Sequence, residues 1–153
     1  MNRSAARRRA GFTLVEMLIV ITAMAILAAV TLPQLSSSTL ECKEANGLGN
    51  LAVVRQAIEH YRIDHHDVWP TEDIQTQLTT KTDLDGQAGT RFGPYLRQQF
   101  PLNPVKDSRS MAIVETMPVE AEGPEAWVYC PATGDLRLNM RGTGPSGVAW
   151  FSM

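Results

Sequence analysis

Polar and apolar positions divide the chain into stretches of different character. Residues 1–10 carry Arg3, Arg7, Arg8 and Arg9 and no acid. From Phe12 to Leu35 runs an apolar stretch of 24 residues, in which Met17 to Leu32 holds no charge. A bilayer-spanning helix wants about 20 apolar residues, so this run is long enough to span. Pro33, lacking an amide proton, should kink the helix there, and Ser36-Ser37-Ser38-Thr39 marks the exit from the apolar phase. A period of three to four then resumes at Ala45, Leu48, Leu51, Val54, Ile58 and Tyr61, with Glu44, Arg55, Glu59 and Arg62 on the opposite side and Arg55 paired to Glu59. The pattern predicts one helix from Phe12 to about Asp64, on the order of 80 Å long.

The remainder reads as a small mixed domain. Trp69-Pro70 stops the helix, and Thr71 as N-cap with Glu72 and Asp73 predicts a two-turn helix that buries Ile74 and Leu78. Residues 79–90 read as a polar surface loop. Phe92 to Pro104, with three prolines, reads as a stiff irregular segment pressed on a core. Strands are predicted at Ser110–Thr116, Ala126–Tyr129 and Leu136–Leu138, with a turn at Pro131–Asp135. The fold class is therefore α+β: a long N-terminal α-helix, apolar in its first half and amphipathic in its second, packed on a small antiparallel β-sheet.

One charge breaks the apolar run. Glu16 inside hydrocarbon costs about 2.5–3.5 kcal/mol on insertion scales, so a partner is expected. Cleavage between Gly11 and Phe12 would supply one, because it frees an α-amino group on Phe12, four residues from Glu16 and on the same helix face.

Charge sharpens the picture. Of 14 basic residues four precede the apolar run; the other 10 face 16 acids, a balance of −6. Arginines before a span and an acidic remainder after it place the N-terminus in the cytoplasm and the head outside. An acidic head without a basic cluster argues against nucleic acid as a partner. In that compartment Cys42 and Cys130 could bridge helix to sheet or remain two small buried thiols.

Three groups invite chemistry. His60, His65 and His66 stand beside Asp64 and Asp67, but two of the histidines point apart on a helix; a solvated terminus favoured by the helix dipole accounts for them as well. Asp83-Leu84-Asp85-Gly86 lacks the further acids of a calcium loop and reads as a turn. No Gly-x-Ser-x-Gly elbow or phosphate loop is present, so no catalytic residue and no cofactor is expected.

Residues Gly11-Phe12-Thr13-Leu14-Val15-Glu16, behind a short basic leader and ahead of a hydrophobic helix, resemble the type IV pilin family and its type II secretion relatives, the pseudopilins. The resemblance implies removal of residues 1–11 by a prepilin peptidase cutting after Gly11, and N-methylation of Phe12. It implies a filament-core helix over 12–35 and an extracytoplasmic head over 36–153. Chains of such a family stack into a homo-oligomeric filament, with Glu16 neutralising the Phe12 amine of a neighbour. The implied partners are the inner-membrane platform of a secretion system and minor pseudopilins. The Gly93-Pro94-Tyr95-Leu96 and Pro101–Pro104 stretches also look like those of major pseudopilins. The acidic calcium loop that such subunits carry after the sheet has no counterpart in Asn139–Gly147, which holds no carboxylate and one arginine. The metal site is therefore not carried over.

Alternative readings stay open here. A secretory signal with a site at Ala23-Met24-Ala25, or a twin-arginine signal at Arg8-Arg9, would fit the basic start but not Glu16. A type IV pilin for adhesion, motility or DNA uptake shares the leader. A membrane-anchored metal-binding or sensor protein would use the histidine group.

Overall fold

The computed structural model describes residues 12–71 and 73–153, with the side chains of 31–37 outside the described residues. The leader with Gly11, and the kink expected at Pro33, therefore lie outside what is described. Helix α1 spans Leu14–Asp64 and a short α2 spans Ile74–Thr79. Three strands follow, β1 (Met111–Ile113), β2 (Trp127–Cys130) and β3 (Asp135–Leu138), and a 3₁₀ turn covers Trp150–Ser152. Residues Thr39–Met153 form one compact unit. Among the described residues no helix is long and apolar enough to cross a membrane. The apolar side chains described in the first half of α1 end at Val30, short of the full expected span.

The sheet runs in the order β1-β2-β3. β2 and β3 pair antiparallel, with Trp127 opposite Leu138 and Cys130 opposite Asp135, as the turn signals predict. β1 departs from the expected antiparallel sheet: it pairs parallel to β2, Met111 opposite Trp127 and Ile113 opposite Tyr129. The cause is the connection. Residues 114–126 run long enough to cross over the sheet and return in the same direction, which a tight hairpin cannot do. That crossover and the C-terminal turn cover the outer face, where Ala121, Val128 and Phe151 form a small buried cluster.

The inner face meets α1. Leu51, Val54, Ala57, Ile58 and Tyr61 pack with Trp127, Tyr129, Leu136 and Leu138 in the main core, joined by Ile74 and Leu78 from α2. Leu96 and Phe100 are buried in it too, as expected of the proline-rich segment, and Leu78 O accepts the amides of Tyr95 and Leu96 at 3.0 and 2.8 Å.

The predicted stripe holds from Leu51 onward and fails before it. Ala45 and Leu48 are exposed, while Glu44 and Gly47 face inward. Gly47 admits Leu138 Cδ1 and a Pro104 side chain against the helix. Glu44 is 6% exposed, accepts the Ser146 amide at 3.1 Å and also takes the Ser146 hydroxyl. Arg55 likewise leaves its expected partner Glu59, because Leu136 O and Met153 O lie within reach of its guanidinium at 2.8 Å each. Burial lowers the pKa of that group. Glu59 pairs with Arg62 instead.

The end of α1 also differs from a solvated terminus. His65 is 2% exposed; its Nδ1 lies 2.7 Å from Tyr61 O and its Nε2 3.0 Å from Thr82 Oγ1. Its ring stacks on Tyr61 at 3.8 Å. The Tyr95 hydroxyl donates to Asp64 at 2.9 Å, and burial together with that carboxylate pushes its pKa up. The chain then reverses through His66 and Asp67, both left-handed, with the Asp67 amide on Arg62 O. α2 starts later than expected: Asp73 is its N-cap, since the Thr71 amide and hydroxyl are both engaged by Gln77 Oε1. Asp83 makes the expected turn, its Oδ1 accepting the amides of Asp85 and Gln87.

Glu44→Ala should lower the stability of the head by about 1–3 kcal/mol, since it removes the charge-assisted hydrogen bonds by which the buried carboxylate holds the exposed Ser146 loop on α1. Chemical denaturation measures the loss, and amide exchange should report faster opening at Ser146 than at β2.

Candidate functional site

The first turn of α1 gathers the residues that the sequence singles out. Thr13 directly precedes the helix, and Glu16 is its third residue. Their contacts are reciprocal. The Glu16 amide donates to Thr13 Oγ1 at 3.2 Å, and the Thr13 amide donates to Glu16 Oε2 at 2.8 Å. The Thr13 hydroxyl adds a bond to the same Oε2 at 3.0 Å. This is a capping box, in which two orphan amides of a helix start are each satisfied by the other residue's side chain. Its sequence signature, Thr-x-x-Glu ahead of an apolar run, is present in Thr13-Leu14-Val15-Glu16. Reading Glu16 solely as a charge in need of a partner overlooks it.

Around this box the helix is apolar on every side. Phe12, Leu14, Met17, Leu18, Ile21, Met24, Ile26 and Val30 are all exposed. A helix apolar all round belongs in a bilayer or among like helices rather than in water. Thr22, the other polar residue among the described side chains of the stretch, turns its hydroxyl onto Leu18 O and Ile19 O at 2.9 Å each. Polar groups here are satisfied within one turn, as an apolar medium demands. The Glu16 bonds all fall on Oε2, and Oε1 has no partner among the described residues, so it can accept from a further donor.

Elsewhere the candidates separate. Cys42 and Cys130 are both free thiols, and the bridge considered between them is not formed. Cys42 is exposed on α1, within 3.6 Å of Asn46 Nδ2, while Cys130 is buried in β2 with its thiol on Glu115 O at 3.3 Å. The histidine group dissolves into packing: His65 is a core residue, and His60 and His66 are exposed. Among the described residues no three metal-capable side chains come together.

Thr13→Val should fray the first turn of α1, costing about 0.5–2 kcal/mol of local helix stability, while Thr13→Ser should preserve it. Amide chemical shifts of residues 13–17 in detergent micelles check this: loss of the helical shifts in the valine variant alone is the expected result.

Comparison with known proteins places this site. The prokaryotic N-terminal methylation motif matches residues 6–32, the capping box included. The chain is 36% identical to competence protein ComGC of Bacillus subtilis over 85 residues, 54% of this chain and 85% of that one. It is 31% identical to a fimbrial protein of Neisseria meningitidis over 77 residues, 50% of this chain and 45% of that protein. It is 27% identical to type II secretion system core protein G of Aeromonas hydrophila over 93 residues, 60% of this chain and 65% of that protein. The match thus spans less than two thirds of the last two relatives. No solved structure matches. With the methylation motif on the capped helix start, and most of a relative's length aligned at more than a third identity, the chain belongs to the type IV pilin and pseudopilin family.

Proposed function

We propose that the chain is a structural filament subunit, a pseudopilin of a type II secretion system, assembled through the first half of α1 after residues 1–11 are removed and Phe12 is methylated. The observation that carries this reading is the capped Glu16: a carboxylate held in the first turn of an otherwise apolar, exposed helix, with one oxygen open. A plain membrane anchor gains nothing from such a group, which costs a few kcal/mol to insert. A subunit that docks on its neighbour's N-terminal amine does. The α-ammonium of Phe12 in one subunit would meet Oε1 of Glu16 in the next, while Thr13 keeps Oε2 and fixes the rotamer. Burial of both charges between helices makes loss of either one costly, because the other is left uncompensated.

The rest follows from this role. The apolar helix, completed by residues 31–35, holds the unassembled subunit in the inner membrane, with the arginines inside and the head outside. A prepilin peptidase cuts after Gly11, and an inner-membrane platform with minor pseudopilins receives the product. The reading assigns no catalysis. The secretion role rests on relatives named core protein G, and on a head whose 10 basic residues against 15 acids suit neither DNA nor an anionic surface. The fimbrial relatives favour a type IV pilin as the second reading. A deletion strain separates the two: loss of exported protein with surface pili intact fits the pseudopilus, and the converse fits the pilus.

Processing is the first test. The mature protein should begin at methylated Phe12 by mass spectrometry, and Gly11→Val should block the cut by crowding the scissile backbone. A start near Thr22 or Ile26 would mark an ordinary signal peptide.

Glu16→Leu separates anchor from docking group. The leucine improves insertion by the few kcal/mol that the carboxylate costs, yet it strands a buried ammonium worth about 3–5 kcal/mol. Fibres should disappear while the membrane fraction keeps its protein. Glu16→Gln should fall between, since the amide accepts a hydrogen bond without charge. Normal fibres from Glu16→Leu would refute the docking mechanism.

A further inference from the structure

Two grooves flank the half of α1 that packs on the head. The first, about 710 Å³, opens beside Asn50 and Val53 and is edged by Arg97, Arg109 and Leu102, with no carboxylate in its lining. The second, about 630 Å³, opens beside Arg55 and Glu59 and is edged by Trp69, Glu115 and Asp135. Asn50 and Glu59 are nine residues apart, about two and a half helical turns. The grooves therefore face opposite sides of α1.

Their charges are opposite once the internal contacts are taken into account. In the first groove Arg109 uses its Nε on Phe100 O, and Arg97 is exposed with no ion pair or hydrogen bond among the described residues. In the second groove Arg55 is turned onto Leu136 O and Met153 O, Asp135 is paired with Arg137, and Glu59 with Arg62. Glu115 is exposed, and its carboxylate has no partner among the described residues. The first groove thus presents two arginines and no carboxylate, and the second three carboxylates against Arg55; Arg97 and Glu115 are the exposed charges without a partner among the described residues, positive on one flank and negative on the other.

We propose that the two flanks meet between copies of this chain, Arg97 of one subunit pairing with Glu115 of the next beside the apolar floors of the two grooves. The proposal rests on the filament reading and names a lateral contact between heads for it. Because the flanks face away from each other, one neighbour cannot engage both. The contact is head-to-tail, and such a contact repeats into an open helical array instead of closing a dimer. It also sets register: docking of Glu16 alone would leave each subunit free to turn about its helix axis, and a charged contact on one flank selects one rotation.

The test is a charge swap in the full chain, read as sheared-fibre yield against membrane-fraction abundance. Arg97→Glu and Glu115→Arg should each reduce fibres at least about five-fold, since a like-charge contact recurs at every subunit. The double variant should restore them to within about two-fold of the unsubstituted chain, a rescue that a misfolded head could not give. Single variants that assemble normally, or a double variant no better than either single, would overturn the contact and leave the filament reading standing. An unsubstituted chain that makes no fibre under the same conditions would overturn both.

Discussion

Burial of one face of α1 over about three turns is the interaction on which the head depends. Leu51, Val54, Ile58 and Tyr61 are all at most 2% exposed and meet Trp127, Tyr129, Leu136 and Leu138 across the inner face of the sheet. Each large side chain taken from water contributes about 1.5–3 kcal/mol. The three short strands could not persist without this cover. The same helix leaves its earlier apolar side chains exposed, so one element supplies a core to the head and an apolar surface for something else. The two uses occupy different lengths of α1 and do not compete.

The two lengths also satisfy their polar groups by different rules. In the first, Glu16 finds Thr13 three residues away and Thr22 finds Leu18 four residues away. In the second, Glu44 finds Ser146 across 102 residues and Arg55 finds Leu136 across 81. Bonds kept local can form before any tertiary structure does and need no water to complete them. A segment that folds with its domain can leave its partners to distant loops.

That difference decides what can be read from the chain beforehand. Local rules found the helix, its end at Asp64, the β2–β3 turn and the burial of Ile74 and Leu78, since each is set by neighbours in sequence. They misplaced Glu44, because a charge scores as surface until Ser146 arrives, and they gave no sign that Gly47 admits Leu138. His65 reads as a solvated end residue until Thr82 returns beside it. Asn103 and Asn139 are single polar letters in the sequence, yet in the fold each staples a loop: Asn103 donates to Ala126 O, and Asn139 donates to Glu122 O and Glu125 O. The parallel pairing of β1 depends on the path of a loop, which no strand propensity reports. The capping box was legible throughout, in four consecutive residues.

Arg55 has a consequence beyond the head it stabilises. Its guanidinium sits on the Leu136 carbonyl, at the edge of β3 that β2 does not use. A bare strand edge is a template for another strand, and proteins commonly blunt it with a cation. Subunits gathered side by side would hold their heads at very high local concentration, where exposed edges would recruit one another into cross-β aggregates. With one edge plugged by arginine and the other, β1, only three residues long, crowding can bring the heads together without unravelling them into each other.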